Sequence, residues 1–363
     1  MIYKPDSLQD LQQIVCAVPH LLPVGMCTKT ALSSPLPNFE QLSLTRLSGI
    51  LAYEPGEFTF TALSGTPLSE IQSALTEKGQ YLPFDPPFVQ RGATLGGCVA
   101  SGLNGSGRLR SGGVRDFILG LSYVDGQGRL VHGGGKVVKN AAGFDLPKLM
   151  TGSLGSLGIL VELNFKVFPR PEAYTTNHME LPSWQAAIQM LARLGAVSLD
   201  LDALDLVPST QGVSAWIRLF GQTSVLRAKA ERLRQVTGGG ELLDSTNEEE
   251  AWRSAREFEW VPSGWSLIKI PITPSKIPAW ELALEKTLTP SSSMRRYSGA
   301  GQACWLATSA ATGQIDGLLA AHGLAGLVVL GQAGTVLIGN YPGRSFYRQV
   351  KSAMDPLQRF REV

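Results

Sequence analysis

Apolar and polar positions recur with two periods along the chain, and each change of period marks an element. Phe58, Phe60 and Ala62 are spaced by two, the period of a half-buried strand, and Ser64-Gly65 turns the chain. Thr66 offers an N-cap, Pro67 suits the first helical position, Leu68, Ile71 and Leu75 follow at helical spacing, and Gly79 closes the predicted helix. Ile118 to Val124 is an apolar run of strand length. The turn Asp125-Gly126-Gln127-Gly128 then leads into Arg129 to Val131, which predicts a β-hairpin. A further strand, Ile159 to Val167, stops at Pro169-Arg170-Pro171.

Beyond those prolines helices and strands interleave. Amphipathic spacing predicts helices over Trp184 to Leu194, Ser224 to Gln235, Glu248 to Glu259, Pro278 to Thr287 and Gln314 to Ala321. Strands are expected over Leu199 to Leu206, Ala215 to Phe220, Ser266 to Ile272, Ala303 to Thr308 and Gly326 to Leu330. This is the pattern of an α+β cap whose sheet is covered on one face.

Length and charge narrow the function. At roughly 150 residues per domain the 363 residues predict two domains. The balance of 32 Lys and Arg against 30 Asp and Glu excludes a nucleic-acid footprint or a polybasic membrane surface. Cys16, Cys27, Cys98 and Cys304 are far apart and form no CxxC or CxxH spacing, so a local zinc or iron–sulfur motif is excluded and a reduced, cytoplasmic setting is expected. The opening residues lack the basic and apolar regions of a signal peptide, and the stretch from Leu318 to Ile338 is too interrupted to span a bilayer.

Glycine is concentrated, with 18 of the 40 between positions 91 and 160, and positions 86 to 150 carry a net charge of +5. Free backbone N–H groups in a positive field suit a phosphate-bearing ligand, although a loop-rich structural region has the same composition. The common nucleotide loops fail. Gly135-Lys136 is followed by Val137 rather than Ser or Thr, and Gly126-Gln127-Gly128 continues Arg129-Leu130-Val131. No GxSxG elbow occurs.

Three stations do form a pattern: Gly92-Ala93-Thr94-Leu95-Gly96-Gly97-Cys98-Val99-Ala100-Ser101-Gly102, Ser111 to Gly120, and Val138 to Met150 closed by Gly152-Ser153-Leu154-Gly155-Ser156-Leu157-Gly158-Ile159-Leu160. Together they resemble the FAD-binding domain of the vanillyl-alcohol-oxidase superfamily, the para-cresol-methylhydroxylase type. KNAAGFDLPKLMTGSLGSLGIL and VRDFILG resemble, more narrowly, the FAD-binding subunits of bacterial glycolate oxidase. The resemblance implies an α+β fold: a two-subdomain FAD-binding domain over 1–170, an α+β cap over 171–340 and a return segment over 341–363. It also implies cofactor-binding positions at Pro23, Val24, Gly25, Met26, Cys27, Thr28, Pro87, Ala93, Thr94, Gly96, Gly97, Ala100, Ser101, Gly113, Asp116, Gly158 and Ile159.

Physical chemistry agrees with parts of that set. A buried diphosphate needs charge-assisted hydrogen bonds to offset a desolvation cost of several kcal/mol, and backbone approaches closely only where side chains are absent, as at Gly25, Gly96 and Gly97. Close helix–strand packing is the competing reading of Gly96-Gly97. The first loop, Leu22 to Lys29, has one Gly where the superfamily usually has three, and Cys27 in it is expected to be a small buried thiol. None of His20, His132, His178 or His322 lies in a covalent-flavin motif, so non-covalent FAD is expected.

The resemblance implies a larger FAD-containing catalytic subunit, an iron–sulfur subunit, a small 2-hydroxy acid as substrate, and a cytoplasmic chain peripheral at the membrane through its partners. A self-contained dehydrogenase and a scaffold with a degraded FAD site are the alternatives. Arg295-Arg296-Tyr297 and Arg344 either clamp a carboxylate or, the favoured reading, are solvated charge at strand and turn ends. The superfamily often ends Asp-Pro, an apolar residue, then Asn-Pro-Gly. Here Asp355-Pro356-Leu357-Gln358-Arg359-Phe360 runs into Arg361-Glu362-Val363, so one flavin contact differs.

Overall fold

The structure is a computed structural model describing residues 1–135, 144–332 and 334–363. Val138 to Gly143 of the third station lie outside the described residues. The chain divides into two compact units, one built from 1–104, 112–170 and 342–363, the other from 105–111 and 171–341.

In the first unit, the described residues form a parallel three-stranded sheet in which Glu40–Ser43 lies between Ile2–Tyr3 and Leu21–Val24. They also form an antiparallel five-stranded sheet ordered Ile50–Glu54, Thr59–Leu63, Ile159–Lys166, Ile118–Val124, Leu130–Gly134. The helix Leu8–Ala17 buries Leu11 and Val15 in a core shared with Leu21, Leu42, Val124, Ile159 and Phe360. Pro67, not Thr66, occupies the N-cap of the helix Leu68–Thr76. The Thr66 hydroxyl instead donates to the carbonyls of Gly49 and Leu63 and so ties the preceding turn.

The second unit is built on an antiparallel sheet of nine described strands, ordered Glu241–Leu242, Ala173–Leu181, Gly212–Gly221, Leu201–Ser209, Ser293–Ser298, Ala303–Thr308, Ser266–Pro271, Ala325–Leu330, Leu337–Gly339. Register sorts its faces. Leu206, Tyr297, Cys304 and Ile270 share one face, against which Trp184 of the helix Trp184–Gly195 packs on the Tyr297 ring. Trp216, Arg218 and Thr176 share the other, where Trp252 of the helix Ser245–Glu257 donates to Thr176. Helices therefore cover both faces, a correction to the one-face cap.

The same alternation corrects the reading of Arg295-Arg296-Tyr297 as solvated charge. Adjacent strand residues face opposite ways, so each arginine meets a different acid: Arg295 binds Glu281 at 2.8 Å and Arg296 binds Asp205 at 2.6 Å. Tyr297 is fully buried and donates to Glu281.

Candidate FAD site

Three pieces of backbone in the first unit converge on one cavity. The strand Leu21–Val24 delivers the 25–33 stretch. The helix Leu95–Ser101 starts with the Thr94 hydroxyl accepting from Gly97 N–H at 3.3 Å. The turn leading into Ile159–Lys166 hydrogen-bonds to that helix through Leu154 N–H and the Ala100 carbonyl at 2.8 Å. The cavity is open to solvent on one side, a cleft whose wall all three pieces share.

Pro23, Val24, Gly25, Met26, Cys27, Thr28, Thr94, Gly96, Gly97, Ala100, Ser101 and Gly158, all expected at the site, line the wall. Pro87, Ala93, Gly113, Asp116 and Ile159 do not. Ala93 and Ile159 are core residues at 1% and 0% exposure. Asp116 is spent on local structure, its carboxylate accepting from Gly113 N–H at 2.8 Å, and Pro87 is buried away from the wall. Cys27 is exposed rather than buried, at a loop position with a left-handed φ of 53°.

The glycines divide their labour. A Cβ on Gly96 would come within 2.6 Å of Ser64 Cβ, and Gly96 N–H donates to the Ser64 carbonyl at 2.7 Å. That position is set by helix–strand packing, and its N–H is already committed. A Cβ on Gly25 would overlap the Thr94 hydroxyl, so only glycine lets the first loop reach the helix start. Gly97 is looser, with Thr94 Oγ1 at 3.2 Å and Lys29 Nζ at 3.9 Å from its hypothetical Cβ.

Sequence reasoning missed Lys29, Leu32, Ser33, Leu44, Ser64, Leu154, Gly155, Leu160 and Arg361, which complete the wall. Lys29 and Leu160 adjoin expected positions, and Leu154 and Gly155 lie inside the quoted Gly152–Leu160 motif, so these four were recoverable. Arg361 stands where the terminal motif departs from the superfamily. Leu44 and Ser64 carried no signal.

Electrostatically the wall is one-signed: its described residues include Lys29 and Arg361 and no Asp or Glu. Burial lowers the Lys29 pKa, against a smaller opposing effect of Cys98, and burial lowers that of Arg361 to about 10. Ser64 Oγ and Arg361 Nε are buried without a hydrogen-bond partner among the described residues. Two cations without a carboxylate in the same wall, alongside aliphatic side chains such as Val24, Leu32, Leu44 and Leu160, fit a molecule that joins a diphosphate to flat, apolar rings.

Known proteins agree. The family described as an FAD binding domain matches residues 1–134. Glycolate oxidase subunit GlcE of Escherichia coli (strain K12) is 33% identical over 359 residues, covering 98% of this chain and 95% of that protein. The chain belongs to the glycolate oxidase subunit GlcE family. Its cofactor is FAD and it is an oxidoreductase of the flavoprotein class. Partial relatives include D-2-hydroxyglutarate dehydrogenase of Xanthomonas citri pv. viticola, 32% identical over 56% of this chain and 44% of that protein. Glycolate oxidase subunit GlcD of Bacillus subtilis (strain 168) is 31% identical over 47% of this chain and 34% of that protein. A solved alkyldihydroxyacetonephosphate synthase shares the fold, with a TM-score of 0.75 and 15% identity over 100% of this chain and 77% of that one.

Proposed function

We propose that this chain is the FAD-carrying subunit of a glycolate-oxidase-type complex that oxidises a small 2-hydroxy acid, with oxidation completed on a larger partner flavoprotein and electrons passed to an iron–sulfur subunit. The observation that carries the reading is the end-to-end similarity to GlcE, since the named dehydrogenases match only part of the chain. FAD supplies two-electron acceptance from a C–H bond and one-electron release to a relay. In this reading the residues at the first loop, the helix start and the Leu154–Gly158 turn hold it non-covalently, and the aliphatic wall keeps water from its rings.

The remaining residues support division of labour between subunits. A self-sufficient hydroxy-acid dehydrogenase needs a base for the hydroxyl proton and a free cation for the carboxylate. The cavity's described lining has cations in Lys29 and Arg361 but no His, Asp or Glu to take the hydroxyl proton, and Arg295 and Arg296 are already bound to Glu281 and Asp205. The open cavity speaks against a scaffold with a degraded site.

The test is to purify the chain alone, record the flavin band near about 450 nm, and add glycolate, D-lactate or D-2-hydroxyglutarate without oxygen. A yellow protein that bleaches only when its partner subunits are added is the expected result. Bleaching of the isolated chain would replace the reading with a self-contained dehydrogenase.

A further inference from the structure

We propose that Lys29 is a diphosphate clamp: its ammonium, buried in the cavity wall, selects the phosphate-bearing form of the flavin and rejects the bare ring system. The inference rests on the proposed cofactor site and names what recognises the ligand there.

The helix start beside the cavity has little hydrogen-bonding capacity left for a dianion. Gly96 N–H donates to the Ser64 carbonyl, Gly97 N–H to the Thr94 hydroxyl and Cys98 N–H to the Thr94 carbonyl. The 25–33 stretch contributes a single glycine. Positive charge in the wall comes from two side chains, Lys29 and Arg361, and Lys29 is the one that stands beside the helix start. It is 7% exposed, and its Nζ lies 3.9 Å from the point where a Gly97 Cβ would be.

Its protein contacts do not neutralise it. Nζ reaches the Thr28 hydroxyl at 3.5 Å and stands 5.7 Å from the Phe88 ring centroid. Cys98 is the nearby acid, but burial pushes its thiol up to about 11, so it stays protonated and cannot serve as a counter-ion. A buried ammonium with a weak hydroxyl contact and a ring, and without a carboxylate among the described residues, costs stability in the free protein. A phosphate oxygen at Nζ removes that cost.

The experiment titrates the full chain, stripped of flavin, with FAD, riboflavin, ADP and adenosine, in wild type, Lys29→Met and Lys29→Arg. Expected results for Lys29→Met are a 10- to 100-fold weaker FAD and ADP affinity and unchanged riboflavin and adenosine affinity. Lys29→Arg restores at least part of the loss. The flavin-free Lys29→Met protein melts at or above the wild-type temperature, which a purely structural lysine would not allow. Wild-type FAD affinity also falls at alkaline pH as Lys29 loses its proton, and the Met variant is flat there. Equal loss for phosphorylated and unphosphorylated probes, or no loss, overturns the clamp. If wild type binds ADP through Lys29 but no flavin, the clamp stands and the proposed function fails. If it binds none of the four probes, both fail.

Discussion

Neighbouring residues of the same type are not interchangeable here. Gly96 and Gly97 share a helical turn, yet the first packs on Ser64 and the second borders open space. Gly96→Val is expected to cost about 1–3 kcal/mol by overpacking, visible as a lowered melting temperature. Gly97→Val is expected to keep the fold and lose FAD, visible as a colourless protein with a near-normal melt. Full flavin occupancy in Gly97→Val would mean the pocket is misplaced. In the second unit Lys269 has the opposite character to a paired arginine: burial, then Arg108, push its pKa from 10.5 down to about 8. Below about pH 8 it is protonated whether folded or unfolded, and the folded state bears the full burial penalty. As pH rises from about 8 to 10.5 the unfolded chain holds more protons, so stability increases. Lys269→Met should therefore stabilise the protein near pH 7 by roughly 1–3 kcal/mol, with the gain closing toward alkaline pH. Denaturant curves at several pH values measure the gap.

At the scale of elements, the tail is stitched beneath the strand that delivers the first loop. Phe360 bridges Leu21 in parallel, and Leu21 N–H donates to the Arg359 carbonyl at 2.7 Å. The buried Asp355 carboxylate accepts from Lys351 Nζ and from the N–H groups of Arg359 and Phe360 at 3.0 and 2.9 Å. Lys351 Nζ also donates to the carbonyls of Ser156 and Phe360. Removing the carboxylate leaves the Lys351 charge buried, so Asp355→Ala should cost about 3–5 kcal/mol, whereas Lys351→Met with Asp355→Leu removes both charges but still orphans two N–H groups and two carbonyls, so it should recover only part of that cost. Thermal melts of the single and double variants separate the two. Elements were legible where their signal was local. The apolar runs Ile118–Val124 and Ala303–Thr308 form strands with the expected bounds. Ala173–Leu181 was missed because its polar Thr176 and Asn177 are buried by distant partners, Glu248 and the Gly239 carbonyl. The helix Leu95–Ser101 was missed because its glycines favour loops and only Thr94 capping and tertiary packing make it helical. For the same reason the site's glycine loops were readable, while the burial of Lys29 and the pairing of Arg295 and Arg296 were not: they depend on residues far away in sequence.

For the molecule as a whole, connectivity decides which fragments can fold. The first unit takes its last segment, 342–363, from beyond the whole of 171–341, and lends residues 105–111 to the second. A cut after Arg170 therefore removes more than a neighbouring domain. It removes Phe360, which is 2% exposed in the first unit's core, and the Lys351–Asp355 pair that closes the turn carrying Ser156. Losing a phenylalanine side chain from a core costs about 3–5 kcal/mol, a large share of the about 5–15 kcal/mol that holds a domain together. Fragment 1–170 is expected to be unfolded or molten, with no cooperative melt and no FAD binding. Joining 342–363 to its end through a flexible glycine–serine linker should restore a cooperative melt and FAD titration, because the tail then fills the core from its own chain. A fragment 1–170 that melts cooperatively and binds FAD like the full chain would show the tail to be an accessory. Phe360→Ala in the full chain is the matching point test: it should lower FAD affinity although Phe360 is not on the cavity wall, by loosening the Leu21–Val24 strand from which the first loop springs.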